Sequence, residues 1–283
     1  MTVTSVKPVR ATRYIRKMRG RAQAHLVAAD DGAYYVVKSI NNPQGRRVLV
    51  NEWIAGLFLR RLQISTPECT IIENNREFND EYPQFSIQLG AQQIPIEPGC
   101  HFGSRYPDDP SRMTVFDYVA DEGIRECANN WEFAAILPFD KWVSNANARQ
   151  AIFHRARVRA DNATHNYSRI VLQMVDHGFI FEGPNWSFGD SPVQGFYPRP
   201  VAYEDVRGWS NLQPSLDAIL RFPEAAFDEA LRLVPPAWIE GEEDHLQSLL
   251  ERLYKRRKQV PHLIGEIRRA KPDLFPNWTR VVG

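Results

Sequence analysis

The sequence of 283 residues lacks any run of about 20 apolar residues, and no apolar stretch follows Met1. No spanning helix or secretory leader is expected, and the chain reads as soluble and cytoplasmic. Cysteine is scarce. Cys69, Cys100 and Cys127 are odd in number and far apart, so they form neither a C-x-x-C pair nor a disulfide framework. Charge of one sign is missing too: 35 Lys and Arg stand against 34 Asp and Glu, for a net charge of +1. That balance, and the lack of interleaved aromatics in the basic stretch "RYIRKMRGR", count against nucleic acid as a partner. The glycine-rich phosphate loop G-x-G-x-x-G is absent, and so is any repeat or low-complexity segment.

What is present is ordinary globular material, 43% apolar and 24% charged, enough for one large domain or two modest lobes. The 20 prolines predict many punctuated loops. Residues 1–10 carry no periodic pattern, and "RATRYIRKMRGRAQ" reads as a basic lead-in. "QAHLVAADDGAYYVVKSI" predicts a hairpin closed by Asp30-Asp31-Gly32. "VLVNEWIAGLFLRRLQI" has helical spacing at Val50, Trp53, Ile54 and Leu57. "STPECTIIE" restarts as strand, and the stretch Pro95 to Pro110 reads as loop. "NNWEFAAILPFDKWV" is helical but interrupted at Pro138, which places Asp140 at a break. "YSRIVLQMVDHG" is a strand that ends on an acidic residue, and "SFGDSPVQGFYPRP" is loop. Beyond residue 210 the pattern is helical in "QPSLDAILRFPEAAFDEALRLVPP", "GEEDHLQSLLERLYKRRKQV" and "PHLIGEIRRAKPDLF". The whole describes an α+β chain with a small sheet-containing part over 1–112 and a mostly helical part over 113–283.

Several residues could carry chemistry. Val36 and Lys38 share one face of a strand, where valine could touch a flat base and lysine reach phosphates. A lysine at a strand end can equally hold its amine in water. Glu52 lies on a helical stripe with Val48, Ala55 and Leu59, and a carboxylate among apolar neighbours needs a partner. Lys38 is one candidate; Arg60 and Arg61 are others. Gly20, before the first hairpin strand, could admit backbone N–H groups to a phosphate.

Asp176 ends an apolar strand, suited to Mg²⁺, which takes hard oxygen ligands, or simply to starting a turn. His177 reads as a packed residue rather than a metal ligand. In "FDKWVSNANARQ", Asp140 and Asn145 have the five-residue offset of a kinase catalytic aspartate and its metal-binding asparagine. Asn147 and Gln150 are further oxygen donors, and Arg149 could meet a triphosphate. A solvated loop has the same composition.

The order of "GRAQAHLV", "YYVVKSINNPQG", "LVNEWIAGLFLRRLQI", "FDKWVSNANARQ" and "MVDHG" resembles the HipA-like kinases over roughly residues 15–185. The resemblance implies a two-lobed, protein-kinase-like fold and transfer of phosphate from ATP, with Mg²⁺, to a hydroxyl, serine or threonine of a protein. Lys38 would then hold phosphates, Glu52 would steady it, and Asp176 would bind metal, with Asn145 and Gln150 as further metal ligands. The family's Asp-x-His-x-x-Asn run departs here: its first position falls on Asn147 and its last on Ile152. Either Asp140, with Asn145 or Gln150, does the work from a shifted register, Asn147 and Arg149 being the other catalytic candidates, or Asn147 leaves the protein without a base. The second case gives a weak kinase, or a pseudokinase serving as a nucleotide-binding or interaction module. A small-molecule kinase fits the same fold.

Overall fold

A computed structural model of the protein describes residues 7–159 and 166–278; residues 1–6 of the patternless start lie outside it. Five strands close into a barrel in the order β1-β2-β3-β7-β4. They are β1 (Val9–Lys17), β2 (His25–Ala29), β3 (Tyr34–Lys38), β4 (Cys69–Asn74) and, later in the chain, β7 (Gly99–Arg105). All neighbours are antiparallel except β1 and β4, which pair in parallel. The turn between β2 and β3 is the expected one, with Gly32 at φ +81°.

Between β3 and β4 runs α1 (Arg47–Arg61), buried from Val48 through Gly56 and again at Phe58 and Leu59. A helix buried nearly all round lies between two packed bodies rather than on a surface. Here one side packs on the barrel strands and the other on the helical lobe. The stripe of Val48, Glu52, Ala55 and Leu59 is buried throughout. After β4 come α2 (Arg76–Glu81) and the hairpin of β5 (Ser86–Leu89) with β6 (Gln92–Pro95). Phe78, Phe85, Ile87 and Ile96 from this region cover a second apolar core inside the barrel, with Val27, Val37 and Ile72.

The second lobe starts with α3 (Asp121–Arg125) and α4 (Glu132–Trp142) and continues into a long hairpin, β8 (Gln150–Arg159) with β9 (Asn166–Val175). It is completed by α5 (Trp209–Leu220), α6 (Ala225–Leu233), α7 (Pro236–Ile239), α8 (Glu243–Arg256) and α9 (Val260–Ala270). Trp142 at the end of α4 stacks on Phe58 of α1 at 5.7 Å, and its indole N–H donates to Leu253 O at 2.9 Å. Trp238 donates to Cys100 O at 2.9 Å and so ties the helices to the barrel. The result is a two-lobed α+β fold with a small sheet lobe and a largely helical lobe.

Three local readings are corrected. The basic lead-in is β1, whose exposed cations alternate irregularly around bulges at Ala11/Arg13 and Tyr14/Arg16. The Pro95–Pro110 loop contains β7, a central strand that glycine, cysteine and histidine disguised. Pro138 does not break α4. The proline costs about 3 kcal/mol, but Phe133, Ile136, Leu137, Phe139 and Trp142 are fully buried, each worth about 1.5–3 kcal/mol. Asp140 therefore sits in the last turn of an intact helix. The helical stretch from 213 to 236 lies in two helices, α5 and α6, parted at Arg221–Pro223.

His25 is fully buried between Tyr14 and Phe85, and among the described residues neither ring nitrogen has a partner at hydrogen-bonding geometry. Burial, helped by Lys17, lowers its pKa to about 4. The unfolded chain takes up a proton near the ordinary value of 6.5 while the folded protein does not, so folding stability falls as pH drops from 6.5 towards 4. His25→Phe is expected to remove up to about 3 kcal/mol of that acid dependence, measured as urea unfolding of both proteins across this range.

Candidate functional site

Between the lobes lies a cleft of about 750 Å³, within the size range of nucleotide-scale ligand sites. Its floor is charged. Lys38, last residue of β3, is 8% exposed and forms ion pairs with Glu52 of α1 and with Asp176 Oδ1, the latter at 2.7 Å. Burial alone would strip the ammonium of its proton, but the two carboxylates outweigh it and raise the Lys38 pKa. In return Lys38, against the cost of burial and with help from Arg149 and Gln150, holds the Asp176 carboxyl below its usual range.

Asp176 directly follows β9 with φ +58°, a left-handed conformation that aspartate tolerates better than most residues. Its side chain is 30% exposed and faces the cleft. Gln150 Nε2 donates to Asp176 Oδ2 at 2.8 Å. Above this floor the lining is largely apolar, with Val36, Pro67, Phe102, Ile152 and Phe179. Arg19, Gly20 and Arg21, in the connection from β1 to β2, form one rim, and Gly20 has φ +116°.

The polar segment after α4 divides into two sets. Asn147 and Gln150 line the cleft with Asp176. Asp140, Asn145 and Arg149 do not; they are buried beneath it. Asp140 is fully buried and pairs bidentately with Arg149, through Nη2 and through Nε at 2.9 Å. Asn145 Nδ2 donates to Asp140 at 3.0 Å, and Asn145 Oδ1 accepts from Asn147 N at 3.0 Å. Arg149 also donates to Val175 O at 3.0 Å and to His177 Nδ1 at 2.9 Å. Burial disfavours its charge, but Asp140 more than offsets this and raises its pKa. His177 is neutral, its pKa driven well below 6.5 by burial, Arg149 and Lys38.

The structure therefore places Asp140, Arg149 and Asn145, expected as base, its neighbour and a metal ligand, in a buried brace under the cleft, apart from Asn147, Gln150 and Asp176 in the lining. The brace fixes the loop that carries Asn147 and the turn that carries Asp176. The offset of five matched because the last helical turn returns the chain to Asp140, not because both side chains face a ligand.

For a metal, the fitting donor in the cleft is the Asp176 carboxylate; Gln150 lies beside it but turns its Nε2 to Asp176 Oδ2, so its amide oxygen would serve only with the amide rotated. Among the described residues no cluster of three or more His, Cys, Asp and Glu could hold a metal ion. So small a protein donor set suits Mg²⁺, which keeps most of its waters and shares phosphate oxygens. Asn51, Arg19 and Arg21 went unnoticed in the sequence. Asn51 has a readable signal, since a polar side chain beside Glu52 in the otherwise apolar middle of α1 needs partners for the same reason.

A charged lysine floor, a carboxylate at a strand end and a cleft between sheet and helices define a kinase-like class of protein. The family model for HipA-like kinases matches residues 12–260, and the chain belongs to that family. Among solved structures, the Helicobacter pylori proinflammatory kinase CtkA is similar at 10% identity and a TM-score of 0.42, over 93% of this chain and 99% of that one. A Golgi casein kinase gives 11% identity and a TM-score of 0.43, over 93% of this chain and 74% of that one. A search of curated proteins finds no match. Among the described residues, no helix is long and apolar enough to cross a membrane.

The brace makes a direct prediction. Asp140→Asn keeps the shape but leaves the Arg149 charge buried and unpaired, and should cost about 3–5 kcal/mol of stability. Chemical denaturation of the purified variant measures it; a midpoint equal to that of the unmodified protein would return Asp140 to the list of candidate bases.

Proposed function

We propose that the cleft binds ATP with Mg²⁺ and that the protein, acting in the cytoplasm, transfers the γ-phosphoryl group slowly to a hydroxyl, a serine or threonine of a protein. The observation that carries this reading is the ion-paired group Lys38–Glu52–Asp176 on the cleft floor. Lys38 holds the α- and β-phosphates and Glu52 fixes its direction. Val36 and Phe102 face the base, and Gly20 with the rim arginines approaches the phosphates. Asp176, with Gln150 once its amide is rotated, holds the Mg²⁺, which supplies charge neutralisation and in-line orientation.

Slowness follows from Asn147. By the resemblance, the amide of Asn147 stands in the cleft where the family has a carboxylate, and Asp140 is held under the loop by Arg149. The two carboxylates in the lining, Glu52 and Asp176, are both bound to Lys38. Phosphoryl transfer draws most of its acceleration from positioning and charge stabilisation, so a missing base slows it without abolishing it. The same observation favours a second reading, a nucleotide-binding interaction module that transfers nothing.

Titration calorimetry tests the nucleotide part. Mg²⁺ should tighten ATP binding in the unmodified protein and have little effect in Asp176→Ala; equal Mg²⁺ dependence in both would remove Asp176 from the metal. For the chemistry, Asn147→Asp should raise radiolabel transfer from ATP, or ATP hydrolysis, by about a hundredfold, the lower end of what a positioned base contributes. No transfer in either form, with ATP binding intact, would leave the module reading.

A further inference from the structure

We propose that Asn51 is a positioning residue that ties helix α1 to the segment following Asp176, so that the metal carboxylate takes up its place only when α1 is seated. This rests on the reading of Asp176 as the metal residue. The segment needs such a tie. Asp176, Phe181, Glu182, Gly183 and Trp186 all have φ between +52° and +66°. A chain with so many left-handed residues cannot satisfy its own carbonyls by helical bonding.

Asn51 does this from outside. It is fully buried, and its Nδ2 donates to Gly178 O at 2.8 Å, to Ile180 O at 3.0 Å and to Gly183 O at 3.0 Å. Its Oδ1 accepts from Trp186 Nε1 at 2.9 Å. The next residue of α1, Glu52, accepts from Gly178 N at 2.9 Å while holding Lys38. Contact is close enough that a Cβ on Gly178 would lie 2.5 Å from Val48 Cγ1 and 3.4 Å from Glu52 Oε1. The segment in turn pairs with the loop before Asn147: Phe181 N donates to Val143 O at 2.7 Å, and Ala146 N to Phe179 O at 3.0 Å. One amide side chain therefore joins α1, the metal turn and the catalytic-position loop.

A role confined to filling a hole would lower stability and nothing else. A positioning role also changes how Mg²⁺ acts on ATP affinity and how well the turn is protected. The experiment compares the full chain with Asn51→Ala, with Trp186→Phe, which frees Asn51 Oδ1 more gently, and with Asn74→Ala. The last removes a comparable buried amide in the sheet lobe, bonded to Asn79, Gly99 and His101 rather than to the segment. Backbone amide exchange over residues 177–187 is measured without ligand, and ATP affinity with and without Mg²⁺. In the Asn51 and Trp186 variants, exchange over 177–187 should speed up at least about tenfold, as expected for a lost buried hydrogen bond. The tightening by Mg²⁺ should shrink while Mg²⁺-free affinity holds. Asn74→Ala should leave both unchanged. Should Asn51→Ala not fold, Trp186→Phe carries both readouts. Unchanged exchange and Mg²⁺ response in the folded variants, or equal losses in Asn74→Ala, overturn the proposal. If Mg²⁺ has no effect on the unmodified protein, the metal reading of Asp176 fails and takes the positioning of a metal carboxylate with it; faster exchange over 177–187 would then leave only a structural tie.

Discussion

A buried lysine between two carboxylates governs this structure. Lys38 comes from the barrel, Glu52 from the helix between the lobes and Asp176 from the end of the long hairpin, so three separately folded pieces must meet within hydrogen-bonding distance. Taking these charges out of water costs several kcal/mol per ion, and only their mutual contact repays it. The group is poor value as a source of stability and good value as a register: α1 cannot slide or rotate against either lobe without stranding a charge. Its burial on both sides follows from the same requirement.

The second charge system lies one layer deeper. Asp140 and Arg149 form a dry ion pair whose remaining donors fix Val175 O and His177, the residues on either side of Asp176. His177 can accept from Arg149 only if it stays neutral, and burial, with the adjacent cations, keeps it so. The floor triad sets where Lys38 and the Asp176 carboxylate lie, and the deeper pair sets the angle at which the hairpin delivers that carboxylate. Both ion systems support geometry, which leaves the amide of Asn147 as the cleft group at the position of interest.

Much of the fold was legible, for identifiable reasons. The β2–β3 hairpin, α1, β9 and α8 carry strong periodicity or turn chemistry, and each lies where those patterns put it. β1 was hidden because its outer face is nearly all cationic and its alternation is broken by bulges, which erase a period of two. β7 was hidden because "GCHFGSR" packs its inner face with glycine and histidine rather than branched aliphatics; Gly103 is there because a Cβ would meet Ile72 Cγ1 at 2.5 Å. Helix α4 was misjudged at Pro138, where tertiary burial overrides a local breaker. The Lys38–Glu52 pairing was readable because a charge among apolar neighbours demands a partner, and the partner's strand was recognised.

Asp140 shows where such reasoning stops. Sequence spacing reports that two polar side chains recur at an interval, but not whether they face solvent or each other. An arginine nine residues on was the deciding term, because a guanidinium that enters a dry interior must find a carboxylate, and Asp140 was within reach at the end of α4. The aspartate that looks like a base is consumed by that need. The same rule, applied to Asn51 as a buried amide in an apolar helix, points the other way. Its donors were bound to find carbonyls, and the carbonyls without internal partners are those of the left-handed turn behind Asp176. Buried polar side chains in this protein are therefore best read by what they must satisfy before what they might catalyse.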